Sequence, residues 1–213
     1  MTLQELEQLA SLGEGLTLEF KRRVPRPERI AKEAVALANT HGGRILLGVD
    51  DNGTLTGVDD AAEEEFMLRQ AIDQYSDPPV PYDTQRVVIA PRRDVIVVQV
   101  PESPAKPHVL QAPTGTNGMA YVRVEDMSVE ASPESVRLME RDNASDGVTA
   151  SFGETESLLL RYLKDYGRVT VGEFARIADI STAEASAILV QLTRADLLQL
   201  HRDRDEDFFT LSY

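Results

Sequence analysis

The stretch that decides the fold runs from Gly13 to Val58: GEGLTLEFKRRVPRPERIAKEAVALANTHGGRILLGVDDNGTLTGV. Leu16, Leu18 and Phe20 alternate as in a strand. Pro25 and Pro27 sit before or at the first turn of a helix, where a missing N–H costs nothing. That helix carries Ile30, Ala34, Leu37 and Ala38 on one face and ends near Asn39. Gly42-Gly43 reads as a turn, and Arg44 to Val49 as a short, mostly apolar central strand. Asp51-Asn52-Gly53 then reads as a hairpin turn. Acidic groups, basic groups and a glycine turn thus gather at the ends of adjacent elements, where sites usually form.

Working outward, Leu3, Leu6, Leu9 and Ala10 predict a first helix closed by Gly13. A helix with an acidic start follows over Ala61 to Tyr75, in keeping with the helix dipole. Gln85–Ala90 and Asp94–Val100 read as strands joined by a hairpin, with a further strand over Met119–Val124. Ser132-Pro133-Glu134 opens a short helix. The polar, glycine-bearing stretch DNASDGVTASFG then reads as a linker. Beyond it the rhythm changes: helices over Glu154–Tyr166, Val169–Ile177 and Thr182–Ala195, then alternating runs Leu197–His201 and Phe208–Tyr213. Three helices and a hairpin make the winged helix-turn-helix pattern. The expected fold class is α+β, a mixed sheet flanked by helices over 1–142, with a linker over 143–153 and a small winged-helix domain over 154–213.

The chain has 213 residues, 42% hydrophobic, and a net charge of −14. Such an acidic balance argues against a protein that coats nucleic acid non-specifically, since phosphate binding needs cationic surface. It leaves room for a local basic site. With no cysteine, disulfides and thiolate metal sites are excluded. No apolar run is long enough to span a membrane, and the N-terminus lacks a secretory pattern, so the expected location is cytoplasmic. No GxxxxGK[ST] and no dinucleotide fingerprint occurs, which leaves ATP binding unsupported.

Glu14, Leu18-Glu19-Phe20-Lys21, Ala38-Asn39-Thr40, Gly42-Gly43 and Ile45 to Asp51 occur in the order of a known family, followed by Val98–Pro101, Lys106-Pro107-His108 and Tyr121-Val122-Arg123-Val124. On these blocks the chain from Gly13 to about Ser132 resembles the Schlafen-type AlbA domain, a domain assigned to DNA binding. In bacterial members it often precedes a winged-helix segment, in proteins usually described as transcriptional regulators. Some eukaryotic Schlafens are metal-dependent ribonucleases. That resemblance implies Glu14, Glu19 and Asp50 or Asp51 as acidic site residues, and Lys21 as a lysine placed to meet phosphate. Gly15, His41 and Glu125-Asp126-Met127-Ser128 depart from the family pattern.

Two candidate sites follow. Lys21, Arg22, Arg23, Arg26, Arg29 and Lys32 form a basic block broken by a single anion, Glu28. It is a candidate track for a nucleic-acid backbone or, alternatively, a solvated face paired with the excess carboxylates. Glu14, Glu19, Asp50 and Asp51 are candidate catalytic groups and ligands for Mg²⁺ or Mn²⁺ if the protein is a nuclease. Their alternative roles are a cap, an ion pair and turn formers. Glu14 and Glu19 are an odd number apart, so one straight strand separates them onto opposite faces. Convergence would need Glu14 in the turn at Gly13–Gly15. His108 is a candidate base or ligand, with a structural role as its alternative.

In the winged-helix segment Arg194 is the main cation of the third helix, within a segment richer in Asp and Glu than in Lys and Arg. The expected function is a nucleic-acid-binding transcriptional regulator. It would meet phosphate through Lys21, Arg22, Arg23, Arg26 and Arg194 and use the winged helix for DNA contact or dimerisation. Expected partners are DNA or RNA and a second copy of the chain, with no membrane and no cofactor beyond the Mg or Mn of a nuclease. The rival readings are a divalent-metal ribonuclease and a protein–protein adaptor.

Overall fold

The computed structural model describes residues 1–111, 118–141 and 153–212. They divide into two units, Met1–Ala131 and Ser132–Tyr213.

In the first unit, helix α1 (Leu3–Ala10) opens on a capping box between Thr2 and Glu5. Strand β1 (Leu18–Lys21) runs parallel to β2 (Gly43–Leu47), with helix α2 (Pro27–Ala38) as the crossover. Helix α3 (Ala61–Tyr75) follows, its first N–H groups capped by Asp60. After the two-residue strand β3 (Ser76–Asp77), the hairpin β4 (Asp83–Ala90) and β5 (Arg93–Val100) completes a mixed sheet in the order β1-β2-β5-β4. A second sheet orders β3, β6 (Val109–Leu110), β7 (Met119–Val124) and β8 (Met127–Glu130). The α+β class with a mixed sheet and flanking helices is therefore the observed one.

The apolar run of β5 has a direct cause. Ile96, Val98 and Val100 face a cluster with Ile30, Ala34 and Leu37 of α2 and with Leu68 and Ile72 of α3. Val95 and Val97 face the other cluster, with Leu6 and Ala10 of α1. Both faces of the sheet are covered, so alternation gives way to continuous hydrophobicity. Helix α2 is buried nearly all round, and its alanines Ala31, Ala34, Ala36 and Ala38 are fully buried.

Some expectations shift. The short strands β3, β6 and β8 carry no periodicity that a sequence reading can use. The segment Glu125–Ser128 is a tight turn plus the start of β8, with Glu125 at φ 53°.

The boundary also moves. Helix α4 (Pro133–Arg141), expected as the end of a 1–142 domain, belongs to the second unit, where its Arg137 donates to Ser186 at 2.5 Å. The linker expected over 143–153 lies outside the described residues, apart from Gly153.

That second unit continues with α5 (Glu154–Tyr166), α6 (Val171–Ala178), α7 (Thr182–Arg194) and the hairpin β9 (Leu198–His201) and β10 (Phe208–Leu211). Val169 forms an isolated β-bridge with Phe209 of the hairpin. Leu159, Leu163, Phe174, Leu189, Leu198 and Phe209 form its own core. No helix among the described residues is long and apolar enough to cross a membrane.

Candidate functional site

The acidic motif and the basic block start from the same strand, β1, and the tertiary structure treats them differently. Glu14 lies in the turn before β1, and its side chain folds back so that Oε1 accepts the backbone N–H of Phe20 at 2.9 Å. Glu19 points inward and is 5% exposed. Its Oε2 accepts from Arg123 Nη1 at 2.8 Å, and its Oε1 is held by Lys21. The same Arg123 nitrogen meets Glu33 Oε2 of α2 at 3.0 Å, and Ser128 Oγ hydrogen-bonds Glu33 and lies 3.3 Å from Arg123. Arg123 Nη2 donates to the Gly15 carbonyl at 2.7 Å. Burial, and after it the Glu33 carboxylate, push the Glu19 carboxyl above its ordinary range, while Lys21 and Arg123 pull it back.

Asp50 stands elsewhere, 2.9 Å from Arg22 Nε as an ion pair without hydrogen-bond alignment. Asp51 is exposed in the adjoining turn. Glu14, Glu19, Asp50 and Asp51, candidate ligands for Mg²⁺ or Mn²⁺ if the protein is a nuclease, are thus engaged separately. Among the described residues no three His, Cys, Asp or Glu side chains come together to hold a metal. The physical reason is that each is drawn to a different partner: Glu14 to the Phe20 N–H, Glu19 to Arg123 and Lys21, and Asp50 to Arg22.

The residues that a sequence reading misses here are Arg123 and Glu33. Their signal was present: a lone charge inside the apolar strand Tyr121-Val122-Arg123-Val124, and a glutamate next to the alanine-rich stretch Ala34–Ala38 of α2. A charge in such a position is retained only with a partner.

The basic block is also divided. Lys21, expected to meet phosphate, is engaged by Glu19 and donates to the Phe20 carbonyl at 2.9 Å. Arg22 pairs with Asp50 yet keeps three quarters of its side chain (75%) exposed. Lys32 lies over the Tyr121 ring, 5.6 Å from its centroid. Arg23, Arg26 and Arg29 are exposed, and no salt bridge among the described residues reaches them. Arg26 is the N-cap residue of α2, so the three arginines surround the positive end of that helix dipole. A groove of about 490 Å³ beside Arg22 and Arg23 is lined also by Arg93 and by Asp59, Asp60, Glu63 and Glu64. Arg93 is paired there with Asp59 at 2.8 Å, so the groove carries charges of both signs.

Arg194, in the last turn of α7, donates to the Arg137 carbonyl at 2.7 Å. It is therefore occupied within the second unit rather than projecting freely. His108 is fully buried: its Nδ1 lies 2.6 Å from the Pro78 carbonyl and its Nε2 2.7 Å from Ser103 Oγ. The carbonyl can only accept, so Nδ1 carries the proton and Nε2 accepts from the Ser103 hydroxyl. With Ser103 itself 3% exposed, this pair has no access to substrate and serves the fold.

The family model described as Schlafen, AlbA_2 matches residues 14–132. Among solved structures, the chain is similar to the DIP2311 protein of Corynebacterium diphtheriae, at 17% identity and a TM-score of 0.47, over 88% of this chain and 36% of that one. It is also similar to the N-terminal domain of a RecG-related protein of Nitrosomonas europaea, at 21% identity and a TM-score of 0.41, over 72% of this chain and 97% of that one. The chain thus spans little more than a third of the first of these, 36% of its length. No curated protein matches it.

Proposed function

The chain belongs to the Schlafen, AlbA_2 family, and from that premise we propose that it is a nucleic-acid-binding protein acting as a transcriptional regulator. The observation that carries this reading is the cluster Arg23, Arg26 and Arg29. These are exposed guanidiniums around the start of α2, outside the ion pairs that occupy Lys21 and Arg22. In a chain of net charge −14, such a local cluster favours a phosphate backbone through counterion release.

We read the second unit as a winged helix, because a helix, a bridging residue at Val169, two helices and a hairpin follow in that order. Its α7 presents Ala183, Glu184 and Ala187 to solvent, with Arg194 tied back to Arg137. That surface suits pairing with a second copy better than it suits phosphate, so we assign DNA contact to the first unit and dimerisation to the second.

The test is fluorescence anisotropy of labelled duplex DNA and of RNA across a salt series. R23E/R26E is expected to weaken binding and flatten the salt dependence, and sedimentation of the native chain to show a dimer. Full retention of affinity and slope in R23E/R26E would sink the assignment. No retention of either nucleic acid by the native chain at low salt would favour an adaptor.

A further inference from the structure

Arg123 Nη1 is surrounded by oxygen in the way a bound cation is: Glu19 Oε2 at 2.8 Å, Glu33 Oε2 at 3.0 Å and Ser128 Oγ at 3.3 Å. These groups come from β1, α2 and β8, and Nη2 adds the Gly15 carbonyl at 2.7 Å. The Arg123 side chain has 0% exposure, and its Nε finds no acceptor. We propose that Arg123 is a tethered internal cation that fills the place between Glu19 and Glu33, closing this carboxylate pair to divalent metal and making it a structural cross-link.

The argument is one of charge and space. Two carboxylates buried side by side repel each other and need a cation between them. A divalent ion would require its oxygens at about 2.0–2.6 Å, shorter than the N–H···O spacing observed. It would also have to displace a guanidinium whose side chain is wholly buried. Glu14, the other glutamate of the motif, is turned back onto the backbone N–H of Phe20 and takes no part in this cluster. The assignment is independent of nucleic-acid binding, since Arg23, Arg26 and Arg29 take no part in it.

The experiment is thermal melting of the full chain with Mn²⁺, with Mg²⁺ and with EDTA. The native protein is expected to melt at one temperature in all three. R123A is expected to melt lower and to regain part of the loss as Mn²⁺ is added, and R123A/E33Q to lose that recovery. A Mn²⁺-dependent rise in the melting temperature of the native chain that E33Q removes would overturn the proposal. So would an R123A protein that melts as the native one does, or one that Mn²⁺ leaves unrecovered. Should R123A not fold, R123M/E19Q/E33Q decides, because a neutral trio replaces the buried charges together. A cooperative melt indifferent to Mn²⁺ supports the assignment, and failure to fold refutes it.

Discussion

The side-chain amide of Asn39 pairs with the backbone of His108 as a neighbouring strand would: Oδ1 accepts the His108 N–H at 2.8 Å, and Nδ2 donates to the His108 carbonyl at 2.8 Å. Nδ2 also reaches the Tyr121 carbonyl at 2.9 Å. The C-cap of α2 thereby fixes β7 and the loop that leads into β6. Since Asn39 is 0% exposed, its loss strands three backbone groups away from water. N39A is expected to destabilise the protein by about 2–4 kcal/mol, read as a lower midpoint in urea at an unchanged slope. A midpoint like that of the native chain would contradict the clamp.

His108 makes stability depend on pH. Burial lowers its pKa below the ordinary 6.5, because the ring must charge away from water. The unfolded chain therefore takes up a proton as pH falls through about 6.5, while the folded chain does not until lower pH. Stability is full above that value and declines below it, levelling once the folded ring protonates. H108Q is expected to flatten this window specifically. An equal decline in H108Q would place the dependence elsewhere.

Gly42 and Gly15 should respond oppositely to alanine. Gly42 sits at φ +67°, and a Cβ there would lie 2.5 Å from the Glu102 nitrogen and 2.7 Å from the Val100 carbonyl oxygen. G42A combines left-handed strain with a backbone collision and is expected to cost at least about 2 kcal/mol. At Gly15 nothing lies within 4 Å of a Cβ. G15A is expected to be neutral or slightly stabilising in the same chemical melt. A tolerated G42A would show that the turn can open.

Charge removal should separate Lys21 from its neighbours. R23A and R26A are each expected to lower the salt slope of duplex binding by about 0.9, one released counterion per lost contact. K21A, whose ammonium is held by Glu19, should leave that slope unchanged while lowering the melting temperature. A slope change in K21A equal to that in R26A would restore the lysine to the interface.

The particular elements explain what a linear reading can reach. The spacing of Leu3, Leu6, Leu9 and Ala10, Pro27 at the start of α2 and the acidic first turn of α3 are local effects, and the helices fall where those signals place them. The apolar runs of β2 and β5 announce burial on both faces. Strands β3 and β6 hold two residues each and exist only because a partner strand lies beside them. Helix α4 has a legible start, but its allegiance is set by Ser186 and Arg194, more than forty residues away.

The amino-acid sequence by itself determined the order of the helices and of the longer strands, the mixed α+β class, the family blocks and the concentration of charge between Glu14 and Asp51. Those properties arise from neighbours a few residues apart, through periodicity, caps and turns. Which charges are spent and which stay free was decided only by the tertiary structure. Arg123 meets Glu19 across 104 positions of the chain, and that single buried contact turns a motif glutamate from a candidate ligand into a cross-link. Electrostatic pairing depends on distance and burial in space, and neither is written in the spacing of residues along the chain.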